Sequence, residues 1–419
     1  MSGDYNVACL VYLHALDSPV QSQVITPMRL LAEHEPPASL VLFRSVRSML
    51  ERQRRAGWKA LRADLIRSYP GVVRILPAAP RRLRLDWDAP LLTGVLRRIT
   101  AGGAPLILHC RGPNAAALGL AARSTCPAVR VVYEARGLYG HEQLYEAGYS
   151  ERDELPVLLR NEFERRVALE NRCVEQADGV VFVSEEMRSH FSNRVGLSDK
   201  AACVVPCCVD GSRFGQGRTQ REEMRSALGF GDELVVVYCG SIHRWQCPEA
   251  SIEAFKTMHQ VVTNSRLLIL TRQTERMLTL LREKGVEPEA YTVTTVPHAD
   301  VPSYLAAADV GLLLREPSVV NRVAAPIKFA EYAAAGVPVL ISDGVGDYSD
   351  HVRKEKLGLI EGGDDNGFVD WLQDVRAHRS AWAERCAAFA ERELAWQSRI
   401  ADVVDFHRAL AAQDMTTHD

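Results

Sequence analysis

Short runs of apolar residues recur along the chain, each closed by a polar turn and followed by a stretch with helical period. In the first half these runs are Val7 to Leu13, Ser39 to Phe43, Pro105 to His109, Val129 to Tyr133, Asp178 to Ser184 and Ala201 to Pro206. In the second half they are Glu233 to Cys239, Leu267 to Thr271, Thr292 to Val296, Asp309 to Leu314 and Val337 to Ile341. Runs of this length that do not alternate with polar residues predict strands covered on both faces, as in parallel sheets. Between them the spacing predicts helices over Val24–His34, Ala89–Thr100, Ala115–Arg123 and Glu154–Gln176, another starting near Pro248, and a helical tail over Gly367–Ala412. Strand and helix in alternation predict an α/β protein. The polar stretch from Gly211 to Arg221 reads as a linker between the two halves.

A chain of 419 residues is long enough for two domains of ordinary size. A formal net charge of −3 does not mark the molecule as a whole for nucleic acid. Ten cysteines occur without a repeated short spacing, and Cys203, Cys207 and Cys208 have no second pair to complete a zinc set. A reduced, cytoplasmic protein is the simplest expectation, with no signal peptide and no run of transmembrane length. One local feature modifies it. From Arg44 to Arg84, Arg and Lys far outnumber Glu51 and Asp64, and Met49, Leu50, Trp58, Leu61, Leu65 and Ile66 lie among them. A basic amphipathic segment suits an anionic membrane surface at the inner face, and a solvated arginine-rich face is the competing reading.

The most informative stretch is Asn321 to Leu340. Pro326 suits the first turn of a helix, where its missing N–H costs nothing. Lys328 and Glu331 are three apart and share a face near the helix start. Gly336 can close the helix in a left-handed conformation, and Pro338 bars its continuation. The helix would then start at the carboxyl end of a parallel strand, where open α/β sheets bind ligands. A helix N-terminus with a lysine suits a diphosphate, and a carboxylate one turn later can accept both hydroxyl hydrogens of a ribose. From spacing alone, an ordinary exposed ion pair explains the same residues.

Pro-x-Lys-x-x-Glu-Tyr followed by Ala-x-Gly-x-Pro-Val resembles the donor-site signature of glycosyltransferase family 4, of the bacterial surface-glycan-like subtype. The resemblance implies the GT-B fold: two Rossmann-like domains facing a cleft, with a C-terminal helix crossing back to the N-terminal domain. The implied domains are residues 1–210 for the acceptor, 211–390 for the nucleotide-sugar donor, and 391–419 for the returning helix. It also implies a retaining enzyme. Relatives carry a second glutamate eight residues before the ribose-binding one, where this chain has Val323. In the Gly240-Ser241-Ile242-His243-Arg244-Trp245-Gln246 turn, glycine lets the backbone approach a phosphate. Relatives place an Arg and a Lys there. Arg244 fits the first, and Gln246 stands at the second, so Lys328 is the substitute cation. Val296 is the candidate contact for the nucleotide base.

Two further motifs, His109-x-Arg111-Gly112 and Glu134-x-Arg136-Gly137, resemble the same subset and end adjacent strands. Arg136 stands where many relatives have a histidine, and a guanidinium does not act as a base. Glu134 and Arg136 are therefore expected near the sugar or acceptor, with Gln23, His109 and Arg111 on the acceptor side. A structural ion pair at a strand end is the plainer reading of Glu134 and Arg136. Ser18-Pro19-Val20-Gln21-Ser22-Gln23 replaces the glycine-rich turn of many relatives. Asp86-Trp87-Asp88 spells the metal motif of another glycosyltransferase fold, but it sits where acidic residues favour a helix start, so no metal is expected.

The expected reaction moves a sugar from a UDP- or GDP-linked donor to an acceptor hydroxyl on a glycan, a lipid-linked molecule or a small molecule. Catalytic assignments fall on Arg136, Glu134, Arg244 and Lys328. Donor contacts fall on Gly240, Ser241, Arg244, Val296, Lys328 and Glu331. The competing readings are a sugar-nucleotide epimerase or hydrolase on the same fold, relying on Glu134 and His109, and a non-catalytic partner subunit.

Overall fold

Parallel strands and flanking helices build two units, as the apolar runs require. The computed structural model describes residues 5–13, 21–34, 38–45, 59, 63, 65, 69, 71–79, 84–150, 153–197, 200–362 and 365–413. One unit comprises Met1–Leu144, Glu151–Val205 and Arg399–Asp419, and the other comprises Tyr145–Ser150 and Pro206–Ser398.

The first unit holds β1 (Asn6–Leu13), β2 (Ser39–Ser45), β3 (Val73–Ala78), β4 (Leu106–Arg111), β5 (Val129–Glu134), β6 (Gly179–Phe182) and β7 (Ala201–Val204). They form one sheet in the order β3-β2-β1-β4-β5-β6-β7, with every pairing parallel. Strand order reverses between β1 and β4, so the carboxyl ends of these two strands flank the topological switch point. Val7, Leu10, Leu40, Leu42, Leu106, Leu108, Val131 and Tyr133 are buried, which matches strands covered on both faces. Gly119 lies where a Cβ would sit 2.8 Å from Cys110 Sγ, so a side chain there would push the Pro113–Arg123 helix off β4.

The segment after β1 departs from a simple helix. Gln21–Ile25 forms a π-helical turn before the α-helix Thr26–His34. Such turns redirect side chains and recur at functional sites. Ser18, Pro19 and Val20 lie outside the described residues, as does most of the basic segment from Arg44 to Arg84. Asp88 lies inside the Arg84–Ile99 helix, fully buried. It accepts hydrogen bonds from the Tyr12 hydroxyl and from Ala79 N at 2.9 Å, and burial raises its pKa. This carboxyl is therefore a structural tie between β1 and the end of β3.

The second unit holds β8 (Leu234–Cys239), β9 (Ser265–Leu270), β10 (Tyr291–Thr294), β11 (Val310–Leu313), β12 (Val339–Ile341) and β13 (Gly358–Ile360). The order is β10-β9-β8-β11-β12-β13, again all parallel, with the reversal between β8 and β11. Its core gathers Val236, Phe255, Met258, Leu267, Ile269, Val310, Leu312, Leu372, Trp371 and Trp382. Asp309, just before β11, is buried and binds Arg221 at 2.6 Å, Arg379 at 3.0 Å and Arg225 at 3.3 Å. This cluster lies at the amino end of β11, opposite the carboxyl ends of the strands, and fastens helices to the sheet.

The stretch read as a linker is helical. Gly211–Thr219 and Arg221–Ala227 form two helices, and the Asp210 side chain caps the first by accepting from Arg213 N. Gly217 is a packing position: a Cβ there would fall 2.6 Å from Pro302. The tail is helical as expected, over Asp365–Ala377, Arg379–Glu393 and Trp396–Ala411. Its last part belongs to the first unit, where Phe406 packs 2.7 Å from the Cβ position of Gly179. Trp371, Trp382 and Trp396 are buried packing residues. No disulfide joins the cysteines, and among the described residues no helix is long and apolar enough to cross a membrane.

Candidate active site

In the second unit, candidate residues collect at the carboxyl ends of the strands. The Ile327–Ala334 helix starts one residue later than the sequence suggests, with Pro326 at the N-cap and no side chain capping its first N–H groups. Its end follows the expected grammar. Gly336 has φ +76°, and Val337 N donates to Tyr332 O while Gly336 N donates to Ala333 O, a Schellman closure. The helix is locked to the sheet by Tyr332. Its hydroxyl oxygen accepts from Cys239 N at 2.9 Å, and its ring lies 2.8 Å from where a Gly311 Cβ would be. Glycine at 311 is what lets this helix approach β11 so closely.

That anchoring fixes Lys328 and Glu331. Lys328 Nζ donates to Glu331 Oε2 at 2.6 Å, with Glu331 buried and Lys328 half-buried. Burial opposes the ammonium charge, but Cys239, Glu331 and Tyr332 outweigh it and hold Lys328 above the ordinary lysine range. Burial pushes the Cys239 thiol up, so Glu331 is the ionic partner. His298, in the loop after β10, feels Glu331, and its pKa is lowered chiefly by burial. Val296 lies in the same loop, two residues beyond Thr294.

The turn after β8 is built by side chains. Gly240 N donates to Leu270 O, Tyr238 OH donates to Ser241 O at 2.6 Å, and Ile242 N donates to Gln273 Oε1 at 2.7 Å. Arg244 is half-exposed. Its Nε lies 3.1 Å from Glu316 Oε2, and its guanidinium lies 4.9 Å from the Tyr145 ring centroid. Tyr145 OH donates to the same Glu316 oxygen at 2.8 Å. Gln246 lies across Gly240, with Oε1 3.0 Å from the Cβ position, and accepts from Arg315 Nη1 at 3.1 Å. Sequence reading missed Arg315, Glu316 and Tyr145. The available signal was a charged pair directly after the apolar run Val310–Leu314, at the position where β11 ends.

In the first unit, Glu134 closes β5 and is in register with Arg111 on β4. Arg111 Nη1 donates to Glu134 Oε1 at 2.7 Å, Arg136 Nη1 donates to the same oxygen at 3.1 Å, and His109 Nε2 lies 3.5 Å from Oε2. Burial would raise the Glu134 pKa, but Arg111, Arg136 and His109 overcome it and hold the carboxyl far below the usual range. Glu134 is thus an ionised acceptor and does not donate a proton near neutral pH. Arg136 Nη2 donates to Gln23 Oε1 at 3.0 Å, so the π-turn brings Gln23 to this cluster. His109 Nδ1 is 3.1 Å from Nε2 of fully buried His407, whose pKa is lowered by burial and by His109. His407 Nε2 can donate to His109 Nδ1 while His109 Nε2 donates towards Glu134 Oε2. Five of the sequence candidates, or Gln23, His109, Arg111, Glu134 and Arg136, form one network. Among the described residues, no three His, Cys, Asp or Glu side chains gather as metal ligands.

Comparison with known proteins agrees with this fold. Residues 25–213 match the model described as Glycosyltransferase Family 4, and residues 233–377 match Glycosyl transferases group 1. No curated protein matches the chain. Among solved structures, sucrose-phosphate synthase from Thermosynechococcus elongatus is similar at 17% identity and TM-score 0.66, covering 97% of this chain and 99% of its own. HepE from Anabaena, in complex with UDP, is similar at 15% identity and TM-score 0.66, covering 96% and 100%. WaaG, a glycosyltransferase involved in lipopolysaccharide biosynthesis, is similar at 15% identity and TM-score 0.63, covering 98% and 100%. Two all-parallel Rossmann-like units and these two domain matches identify the chain as a glycosyltransferase of the GT-B fold, belonging to the family 4 and group 1 glycosyltransferases.

Proposed function

We propose that the protein transfers a sugar from a UDP- or GDP-linked donor to an acceptor hydroxyl, with retention of the anomeric configuration. The observation that carries the reading is the Lys328–Glu331 pair, held by Tyr332 at the uncapped start of a helix beside the strand-order reversal. In this reading Glu331 accepts the ribose hydroxyls, and Lys328 and Arg244 face the diphosphate together with the Gly240 and Ser241 backbone. Val296 meets the base. Supporting it, HepE has been solved with UDP and with UDP-glucose.

Retention requires no protein base. The leaving diphosphate oxygen can take the acceptor proton on the face it departs from, while the protein supplies position and charge. No metal is needed, because cations and helix N–H groups balance the developing charge. Glu134 and Arg136 act near the sugar or acceptor, and Gln23, His109 and Arg111 hold the acceptor. A role in glycan or glycoconjugate biosynthesis, at the inner face of a membrane, fits the likeness to WaaG and the basic segment.

The epimerase or hydrolase reading needs a proton donor aimed at the sugar, and Glu134 is held ionised. Incubating the enzyme with UDP- and GDP-sugars, with and without acceptor hydroxyls, tests the proposal. Product that forms only with acceptor and keeps the donor's configuration supports it. Inverted product, or turnover of donor alone at the full rate, contradicts it.

A further inference from the structure

Three cations surround the turn after β8, and two already have carboxylate partners. Lys328 is paired with Glu331, and Arg244 with Glu316. Arg315 differs. It is only 8% exposed, yet its hydrogen bonds go to neutral oxygens: Nη1 to Gln246 Oε1 at 3.1 Å and to Leu314 O at 3.4 Å. The Nε and Nη2 N–H groups make no hydrogen bond with the described residues, and neither is sealed from solvent. Burial is the largest influence on Arg315, and the side chains that act on it most strongly are Tyr238, Cys247, Tyr332 and Tyr145. All four have raised pKa values, with burial the leading cause, and are neutral at neutral pH.

A buried arginine without a counter-charge is costly, and this unit shows the usual remedy elsewhere. Arg225, equally buried, shares Asp309 with Arg221 and Arg379. Guanidinium does not escape the cost by losing its proton. An uncompensated one with N–H groups to spare is therefore poised for an anion that arrives from outside.

Its position says which anion. Arg315 follows β11, the strand beside β8 at the order reversal, and its backbone N–H is fixed by Ser342 Oγ at 3.0 Å. Through Gln246 it reaches the side chain that lies across Gly240.

We infer that Arg315 binds the donor diphosphate. The assignment rests on the nucleotide-sugar reading above. A planar guanidinium can offer two parallel N–H groups to phosphate oxygens, which a lysine ammonium cannot.

Calorimetric titration with UDP, GDP, uridine and guanosine tests it on wild type, Arg315→Gln and Arg315→Lys, with thermal unfolding as the control for folding. The expected result is a roughly ten- to hundredfold loss of nucleoside diphosphate affinity in Arg315→Gln, the size of a lost hydrogen bond to a charged group. The matching nucleoside should bind all three proteins alike, and Arg315→Lys should recover part of the loss. Unchanged diphosphate affinity in Arg315→Gln, or an equal loss for nucleoside and diphosphate, overturns the assignment and leaves the donor reading standing. If Arg315→Gln does not fold, Arg315→Lys decides, since diphosphate affinity equal to wild type overturns the assignment. Wild-type protein that binds neither diphosphate overturns the donor reading and this assignment with it.

Discussion

Lys328 Nζ and Glu331 Oε2 are 2.6 Å apart within the first turn and a half of one short helix, and the next residue, Tyr332, bolts that helix to β8 through Cys239 N. Placement of the proposed ribose acceptor thus depends on a side chain that points the other way, into the sheet. The same contact needs glycine at position 311.

Removing one partner of the pair should show both roles. Glu331→Ala leaves a half-buried ammonium without its carboxylate, which should cost about 1–3 kcal/mol of stability by urea unfolding. Nucleotide affinity should fall about tenfold or more as the ribose loses its acceptor. Lys328→Met combined with Glu331→Ala should destabilise less than the sum of the single changes.

Tyr332→Phe removes the acceptor for the buried Cys239 N–H and nothing from the ligand side. We expect about 1–2 kcal/mol of destabilisation, the cost of an unsatisfied buried donor. Gly311→Ala should be at least as damaging, because the new methyl meets the Tyr332 ring at 2.8 Å. Chemical denaturation of each variant checks both.

Glu134→Gln keeps the shape of the strand end but leaves Arg111 and Arg136 without their shared carboxylate. Transfer should fall by about 100-fold or more, as when a preorganised charge is lost from an active site, with UDP or GDP affinity unchanged. The pH profile of wild-type transfer should show no acidic limb from Glu134 at about pH 5 or above, because its pKa lies well below the ordinary carboxylate value.

Glu170 provides a pH test of the fold. It is fully buried, accepts from Tyr139 N at 2.6 Å and Gly140 N at 3.3 Å, and so holds the start of the Tyr139–Glu146 helix. Burial raises its pKa to about 7, aided by Glu142 and opposed by the two N–H groups and Arg194. The folded state therefore holds this proton more tightly than the unfolded chain. Its contribution is fully present below the unfolded value near 4.5 and is lost as pH rises towards 7. Glu170→Gln should flatten the fall in stability across that window, measured by unfolding at a series of pH values.

The sequence shows how far such features can be read in advance. Apolar runs located nearly every strand, because a strand covered on both faces leaves no polar periodicity to confuse it. β3 and β13 were missed: one is only partly buried, and the other is three residues long. Gly336, Lys328 and Glu331 were legible because caps and i,i+3 pairs are local. The Gly211–Arg221 stretch was misread because Gly211 and Gly217 serve packing, and the Asp210 cap outweighs the weak helix propensity of glycine. Arg315 stayed hidden for another reason. Its meaning lies in lacking a carboxylate neighbour, which spacing along the chain does not reveal.

The central claim is that this glycosyltransferase takes a nucleoside diphosphate sugar at the Lys328–Glu331 helix. A thermal-shift screen of UDP, GDP, CMP and their common sugars, with Glu331→Ala alongside, tests it most directly. The account predicts that UDP or GDP, with its sugars, raises the wild-type melting temperature, and that the shift shrinks in Glu331→Ala at the same ligand concentration. A wild type indifferent to every nucleotide, or an undiminished shift in Glu331→Ala, would contradict it.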